Sequence, residues 1–212
     1  MLRYMNLVDA ILASKQLSLR RARDGSAPGR TKDTAFEAVL ARSLEKSPGT
    51  AIANPAETSR DVKFREGLKF VLEKEGSKFV QKDGEKESSR YGILQSTAAY
   101  YGYKGDVRNL SRADVEAIYR KVWEKSGAAS LPFPLSTVHF DSYVNNPAAA
   151  KRFLAKSQGN VETYLRLREQ RYIRLAEIKP GQYGKYLKGW KNRIQGLRNM
   201  VADYGQGKGF RA

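Results

Sequence analysis

The chain has 212 residues, no cysteine, one histidine and a formal net charge of +17. Without cysteine there is no disulfide framework and no thiolate metal site. The single His139 leaves no His-rich metal site and argues against a Ser-His-Asp triad, an amidase or a thiol peptidase. The basic charge is uneven: residues 151–212 hold 15 Lys or Arg and 4 Asp or Glu, whereas residues 1–60 hold 10 and 6. A basic C-terminal part suits a polyanionic polymer, with an attraction that salt weakens. Nucleic acid is the rival polyanion, but no recognised nucleic-acid motif accompanies these residues. A plainly solvated face is the third reading.

In chain order, Met1–Leu17 opens like a signal peptide, but Asn6 and Asp9 interrupt its apolar core and no cleavage site follows, so no signal is expected. No apolar run approaches the roughly 18 residues of a membrane span. Residues 17–35, with Arg20, Arg21, Arg23, Gly25, Pro28 and Gly29, read as a linker. Phe36, Val39, Leu40 and Leu44 have helical spacing, and residues 47–58 read as a second linker. Residues 1–58 are thus an extension with one or two short helices. Docking on a protein partner and a disordered tail are its two readings.

Thr58 or Ser59 is expected to cap a helix that ends at Glu75, with Asp61 in its first turn. Phe64, Leu68, Val71, Leu72 and Glu75 fall on one face of it, while Glu66 and Glu73 point elsewhere. One carboxyl therefore lines up with an apolar stripe where the chain leaves the helix at Gly76, a place that favours retention of a proton. Phe79 and Val80, the Asp83-Gly84 turn signal, and Tyr91 and Ile93 predict a small β-ribbon before a helix from about Leu94. An acid on a helix end, facing Asp83 and the Ser89 hydroxyl on a ribbon, is a layout that glycoside hydrolysis can use.

Leu94–Tyr101 ends at Gly102, and Ser111-Arg-Ala-Asp114 reads as a capping box for Val115, Ile118, Tyr119 and Val122. Leu131-Pro-Phe-Pro134 is a rigid break before a helix from about Thr137. Further helices run from Pro147 through Leu154, from Val161 to about Ile178, and from Tyr186 to Val201. Trp123 and Trp190 occupy apolar helical positions and are read as core. His139 is read as packing or bonding locally.

Glu75-Gly76, Asp83 and Ser89-Arg-Tyr-Gly92-Ile93 together resemble glycoside hydrolase family 108, a lysozyme-like family. Asn109–Trp123 resembles its second block, and Phe140-Asp141-Ser-Tyr-Val-Asn145 its Phe-Asp-x-x-Val-Asn block. Tyr164–Tyr172 through Gly189–Arg193 resembles its C-terminal predicted peptidoglycan-binding module. The chain departs from the family's glycines at Ser77, Lys86 and Glu87, and carries Ser89 for its Thr. The resemblance implies a mainly α (α+β) fold: a lysozyme-like helical domain with a small β-ribbon over residues 59–158, and a basic helical peptidoglycan-binding-like module over 159–212.

It also implies a muramidase cleaving the β-1,4 bond between N-acetylmuramic acid and N-acetylglucosamine. Glu75 would be the general acid, Asp83 would orient water or stabilise positive charge, and Ser89 would support that water. Tyr91 and Gln95 are the candidate sugar contacts, joined through the resemblance by Asp141 and Asn145. No cofactor or metal is required. The expected partner is peptidoglycan, reached in the wall or periplasm through a holin, a dedicated export route or carriage in a virion. The altered glycines keep one alternative open, a catalytically degenerate lysozyme fold serving as a structural or wall-binding part of a phage particle or secretion machine.

Overall fold

A computed structural model describes residues 55–83 and 87–207, with side chains from residue 60 onward except that of Asp83. The N-terminal readings, including Met1–Leu17 and Phe36–Leu44, lie outside the described residues, as do Gly84 and Lys86.

Helix α1 spans Pro55–Glu75. It starts before the expected Thr58 or Ser59 cap, because proline's fixed φ and missing N–H suit a first helical position. It stops where predicted, with Gly76 at φ +73°. Strands β1 (Phe79–Asp83), β2 (Glu87–Arg90) and β3 (Ile93–Leu94) form an antiparallel sheet in the order β1-β2-β3. Phe79 pairs with Arg90 and Val80 with Ser89, and the register shifts before Asp83 meets Glu87.

Helix α2 (Gln95–Tyr100) follows, then a 3₁₀ turn at Val107–Asn109 and helix α3 (Arg112–Ser126). The α3 capping box forms as read: the Asp114 amide donates to Ser111 Oγ at 3.1 Å, and the Ser111 amide donates to Asp114 Oδ2 at 2.9 Å. Helix α4 spans Leu135–Asn145 and starts two residues before Thr137. Helix α5 spans Pro147–Ser157, capped by Asn146, and α6 spans Val161–Ile178, capped by Asn160. A short helix α7 (Pro180–Tyr183) leads through a 3₁₀ turn to α8 (Leu187–Gly205).

All eleven residues of α4 are buried. A helix covered on every side is the centre of a bundle, and α4 separates two apolar clusters. On one side Phe140, Tyr143 and Val144 join Phe64 of α1, Tyr119 and Trp123 of α3, and Ile93 of the ribbon. Phe140 meets Trp123 edge-on, with ring centroids 5.1 Å apart, and Tyr119 at 6.1 Å. On the other side Leu135 and Val138 join Phe70 of α1, Tyr164 and Tyr172 of α6, and Trp190, Ile194 and Leu197 of α8. The C-terminal helices therefore share a core with α1 and α4. Trp123 and Trp190 are both core residues, as their spacing implied. No helix among the described residues is long and apolar enough to cross a membrane.

His139 is buried in α4 and bonded locally. Its Nε2 lies 3.0 Å from the Ser126 carbonyl and so carries the proton, while Nδ1 lies 3.0 Å from the Tyr164 hydroxyl. Burial lowers its pKa and outweighs the Ser126 bond, which acts the other way.

Phe140→Ala removes the ring that joins α1, α3 and α4. It is expected to cost about 3–5 kcal/mol, read as a lower urea midpoint at unchanged m-value.

Candidate functional site

Glu75 is the last residue of α1, and its apolar stripe turns inward as the periodicity predicts. Phe64, Leu68 and Val71 are buried, and the Glu75 side chain is only 7% exposed. The chain then reverses through the ribbon and comes back against it. Tyr91 and Gly92 join β2 to β3 at φ +55° and +73°. With Arg90 paired to Ile93, they are the two central residues of a tight hairpin turn, the geometry that needs positive φ at both positions.

A tyrosine at positive φ is uncommon, and this one is fastened from α3. The Tyr119 hydroxyl donates to the Tyr91 carbonyl at 2.8 Å. Burial and then the Glu75 charge push the Tyr119 pKa well above the ordinary tyrosine value, so it stays a donor. At Gly92 an added Cβ would lie 2.7 Å from Glu75 Cγ and 2.9 Å from its Oε2. The turn backbone thus rests on the Glu75 side chain, and only glycine allows the approach.

The other side of Glu75 is held by charge. Arg193 of α8 places Nη1 2.9 Å from Glu75 Oε1 and Nη2 2.6 Å from Asp141 Oδ1. Arg168 of α6 places Nη1 2.6 Å from Asp141 Oδ2, and its Nε donates to the Tyr172 hydroxyl at 3.0 Å. The Tyr172 hydroxyl in turn donates to Asn145 Oδ1 at 2.9 Å. Carboxylate, guanidinium, carboxylate and guanidinium therefore alternate across α1, α8, α4 and α6. Asp141 is 0% exposed and both arginines 1%. Burial opposes ionisation of Asp141, but Arg193 and Arg168 overcome it and hold its carboxyl below the ordinary value.

The remaining predicted residues fall into different places. Ser89 is buried on β2, between Val80 and Leu94 in register. The Asp83 backbone closes β1 opposite Glu87, and its side chain lies outside the described residues. Gln95 spends both ends of its amide on the following loop: Nε2 donates to the Gly105 carbonyl and Oε1 accepts from the Val107 amide, each at 2.9 Å. Asp141 has no exposed surface through which to meet a sugar. Asn145 accepts from Tyr172 at the far end of the charged line. Glu87, where the resemblance has glycine, caps α2: the Ser96 amide and hydroxyl each donate to its carboxylate at 2.7 Å.

Arg168 and Arg193 were not among the residues expected to form the site. Their signal was a cation on an apolar stripe, Arg168 between Leu165 and Tyr172, and Arg193 between Trp190 and Ile194. The expectation of a proton held by an apolar wall also changes. The wall is there, but a guanidinium at 2.9 Å favours the ionised form of Glu75. Among the described residues no group of His, Asp and Glu is arranged to hold a metal ion.

Residues 68–146, from within α1 through α4, match the family model described as glycosyl hydrolase 108. No curated protein and no solved structure matches the chain. The match supports membership of that family, and with it a glycoside hydrolase of the lysozyme-like, peptidoglycan-directed kind. Glu75 and Asp141 lie within the matched segment, and the arginines that join them lie beyond it.

Asp141→Asn leaves two buried guanidiniums undercompensated and is expected to cost about 3–5 kcal/mol in urea denaturation near neutral pH. Because the folded pKa of Asp141 is depressed, its contribution is present above the ordinary carboxylate range and lost as pH falls through the folded value. The acid side of the stability curve should therefore be shallower in Asp141→Asn than in the parent.

Proposed function

We propose that the chain is a muramidase cleaving the β-1,4 bond between N-acetylmuramic acid and N-acetylglucosamine of peptidoglycan, with Glu75 as general acid. The observation that carries this reading is the setting of Glu75. Within the segment matching glycosyl hydrolase 108, it is a nearly dehydrated carboxyl at a helix end, covered by the backbone of a ribbon turn. A dehydrated acid beside a ribbon can protonate a leaving glycosidic oxygen as an oxocarbenium-like centre develops. In this reading Asp83 stabilises that positive charge or orients water, Ser89 supports the water and Tyr91 meets the sugar.

The proton must come to Glu75 before it can be given away. Arg193 at 2.9 Å favours the carboxylate form of Glu75, so in this reading the working acid forms when Glu75 exchanges that partner for a proton. A sugar lying over the turn would exclude water and weaken the ionised form. The basic helices from residue 159 onward would hold the enzyme near the anionic wall. The route to the wall, by holin, dedicated export or virion, belongs to the same proposal.

The Glu75–Arg193 pair also favours a second reading, a catalytically silent lysozyme fold that binds wall or builds a larger assembly. A buried ion pair is a stable resting place for a carboxylate no longer used as an acid. Muropeptide analysis separates the two, because a binder releases no fragments from sacculi.

Glu75→Gln keeps size and hydrogen bonding but removes the proton, and is expected to slow clearing of purified sacculi by at least about a hundredfold. Circular dichroism should show the helical fold retained. Undiminished clearing by that variant would remove Glu75 from the chemistry.

A further inference from the structure

The turn that covers Glu75 is held from outside its own hairpin. Strand β3 has only two residues, Ile93 and Leu94, which pair with Arg90 and Ser89 of β2. A hairpin that short does not fix its turn in water by itself. The first turn residue adds to the difficulty. At φ +55° the Cβ of Tyr91 crowds its own carbonyl oxygen. Asn and Gly enter this region more readily, and Asn-Gly is a favoured pair for such a turn. A tyrosine stays there only where the surrounding structure enforces it.

The enforcing contact comes from α3. Tyr119 is 2% exposed, and its ring packs edge-on against Phe140 of the central helix. The hydroxyl therefore projects from a fixed base, and it donates to the Tyr91 carbonyl at 2.8 Å. The next residue is Gly92, where an added Cβ would lie 2.7 Å from Glu75 Cγ. One hydrogen bond thus joins a rigid core ring to the backbone that lies on the candidate acid. A phenylalanine at position 119 would complete the same ring contacts, so what the hydroxyl adds is the position of the turn.

We propose that Tyr119 is a positioning residue for Glu75: its hydroxyl holds the Tyr91–Gly92 turn down on the carboxyl and keeps water from it. Its effect on catalysis rests on Glu75 being the general acid, whereas the hold on the turn does not. Loss of the hydroxyl lets water reach Glu75. Hydration favours the carboxylate, so the protonated acid is lost at lower pH. The charges that share this region, Arg193 of α8, Asp141 of α4 and Arg168 of α6, stay in place.

Release of soluble muropeptides from purified sacculi by the full chain, followed over pH, tests this. Tyr119→Phe should retain the parent's circular dichroism and lower kcat about tenfold, the scale of one hydrogen bond. Its apparent KM should stay within about twofold of the parent's, and the alkaline limb of its kcat profile should move to lower pH. Tyr91→Asn relieves the strain that the hydroxyl opposes. In that background the loss caused by Tyr119→Phe should shrink to about twofold or less. An unchanged kcat and limb in Tyr119→Phe, with Glu75→Gln inactive, overturns the role of Tyr119 and leaves Glu75 as the acid. An equal loss in both backgrounds also overturns it, because a general weakening of the core does not depend on residue 91. A parent that releases no fragments defeats the reading of Glu75 as acid, and the hold is then read on the carboxyl itself. Carbon-13 NMR of Glu75 should show a lower titration midpoint in Tyr119→Phe than in the parent, and an unchanged midpoint overturns the hold.

Discussion

The guanidinium of Arg193 stands between Glu75 and Asp141, and the arrangement of the molecule around it follows from that position. Its buried ion pairs draw α8 onto the end of α1 and the middle of α4 at once. Arg168 repeats the device from α6. Four charges in an apolar bundle are costly to dehydrate, and they are tolerated because each lies within ion-pair distance of an opposite charge. The line is nearly neutral as a unit, and it loses that balance when any one member is removed.

This constraint connects the two halves of the bundle. The matched segment supplies Glu75, Asp141 and the ribbon turn, and the helices beyond it supply both arginines. The candidate acid is therefore gripped from opposite directions. Gly92 brings the turn backbone onto its side chain, and Arg193 fixes its carboxylate from the C-terminal side. Tyr119 adds a third hold by bonding the turn carbonyl at Tyr91. Any movement that frees Glu75 to take up a proton must be felt at Asp141 and Arg168 as well.

Much of this was legible in the sequence where the controlling interactions are local. The 3.6-residue period put Glu75 in line with Phe64, Leu68 and Val71, and the Ser111–Asp114 spacing announced its capping box. Helix α6 runs from Val161 to Ile178 as its pattern implied, because caps and proline act within a turn or two. The identity of Glu75's partner was not legible, since α8 lies far along the chain and nothing in the local pattern states what it will touch. Arg193 on the stripe of Trp190, Ile194 and Leu197 was the available clue. Gln95 illustrates the converse: its nearness to the ribbon suggested a sugar contact, but the backbone of Gly105 and Val107 claims both ends of its amide. Glu87 likewise carries a structural duty at the start of α2 that a glycine there could not perform.

Glu75 and Asp141 act as one unit through Arg193. A double-mutant cycle measures this directly, with unfolding free energies of the parent, Glu75→Gln, Asp141→Asn and the double variant at one neutral pH. Members of a shared charge network couple by about 0.5–3 kcal/mol, so the double variant should depart from the sum of the single effects by an amount in that range. Additivity within about 0.3 kcal/mol, the behaviour of independent sites, would show that Arg193 does not couple them.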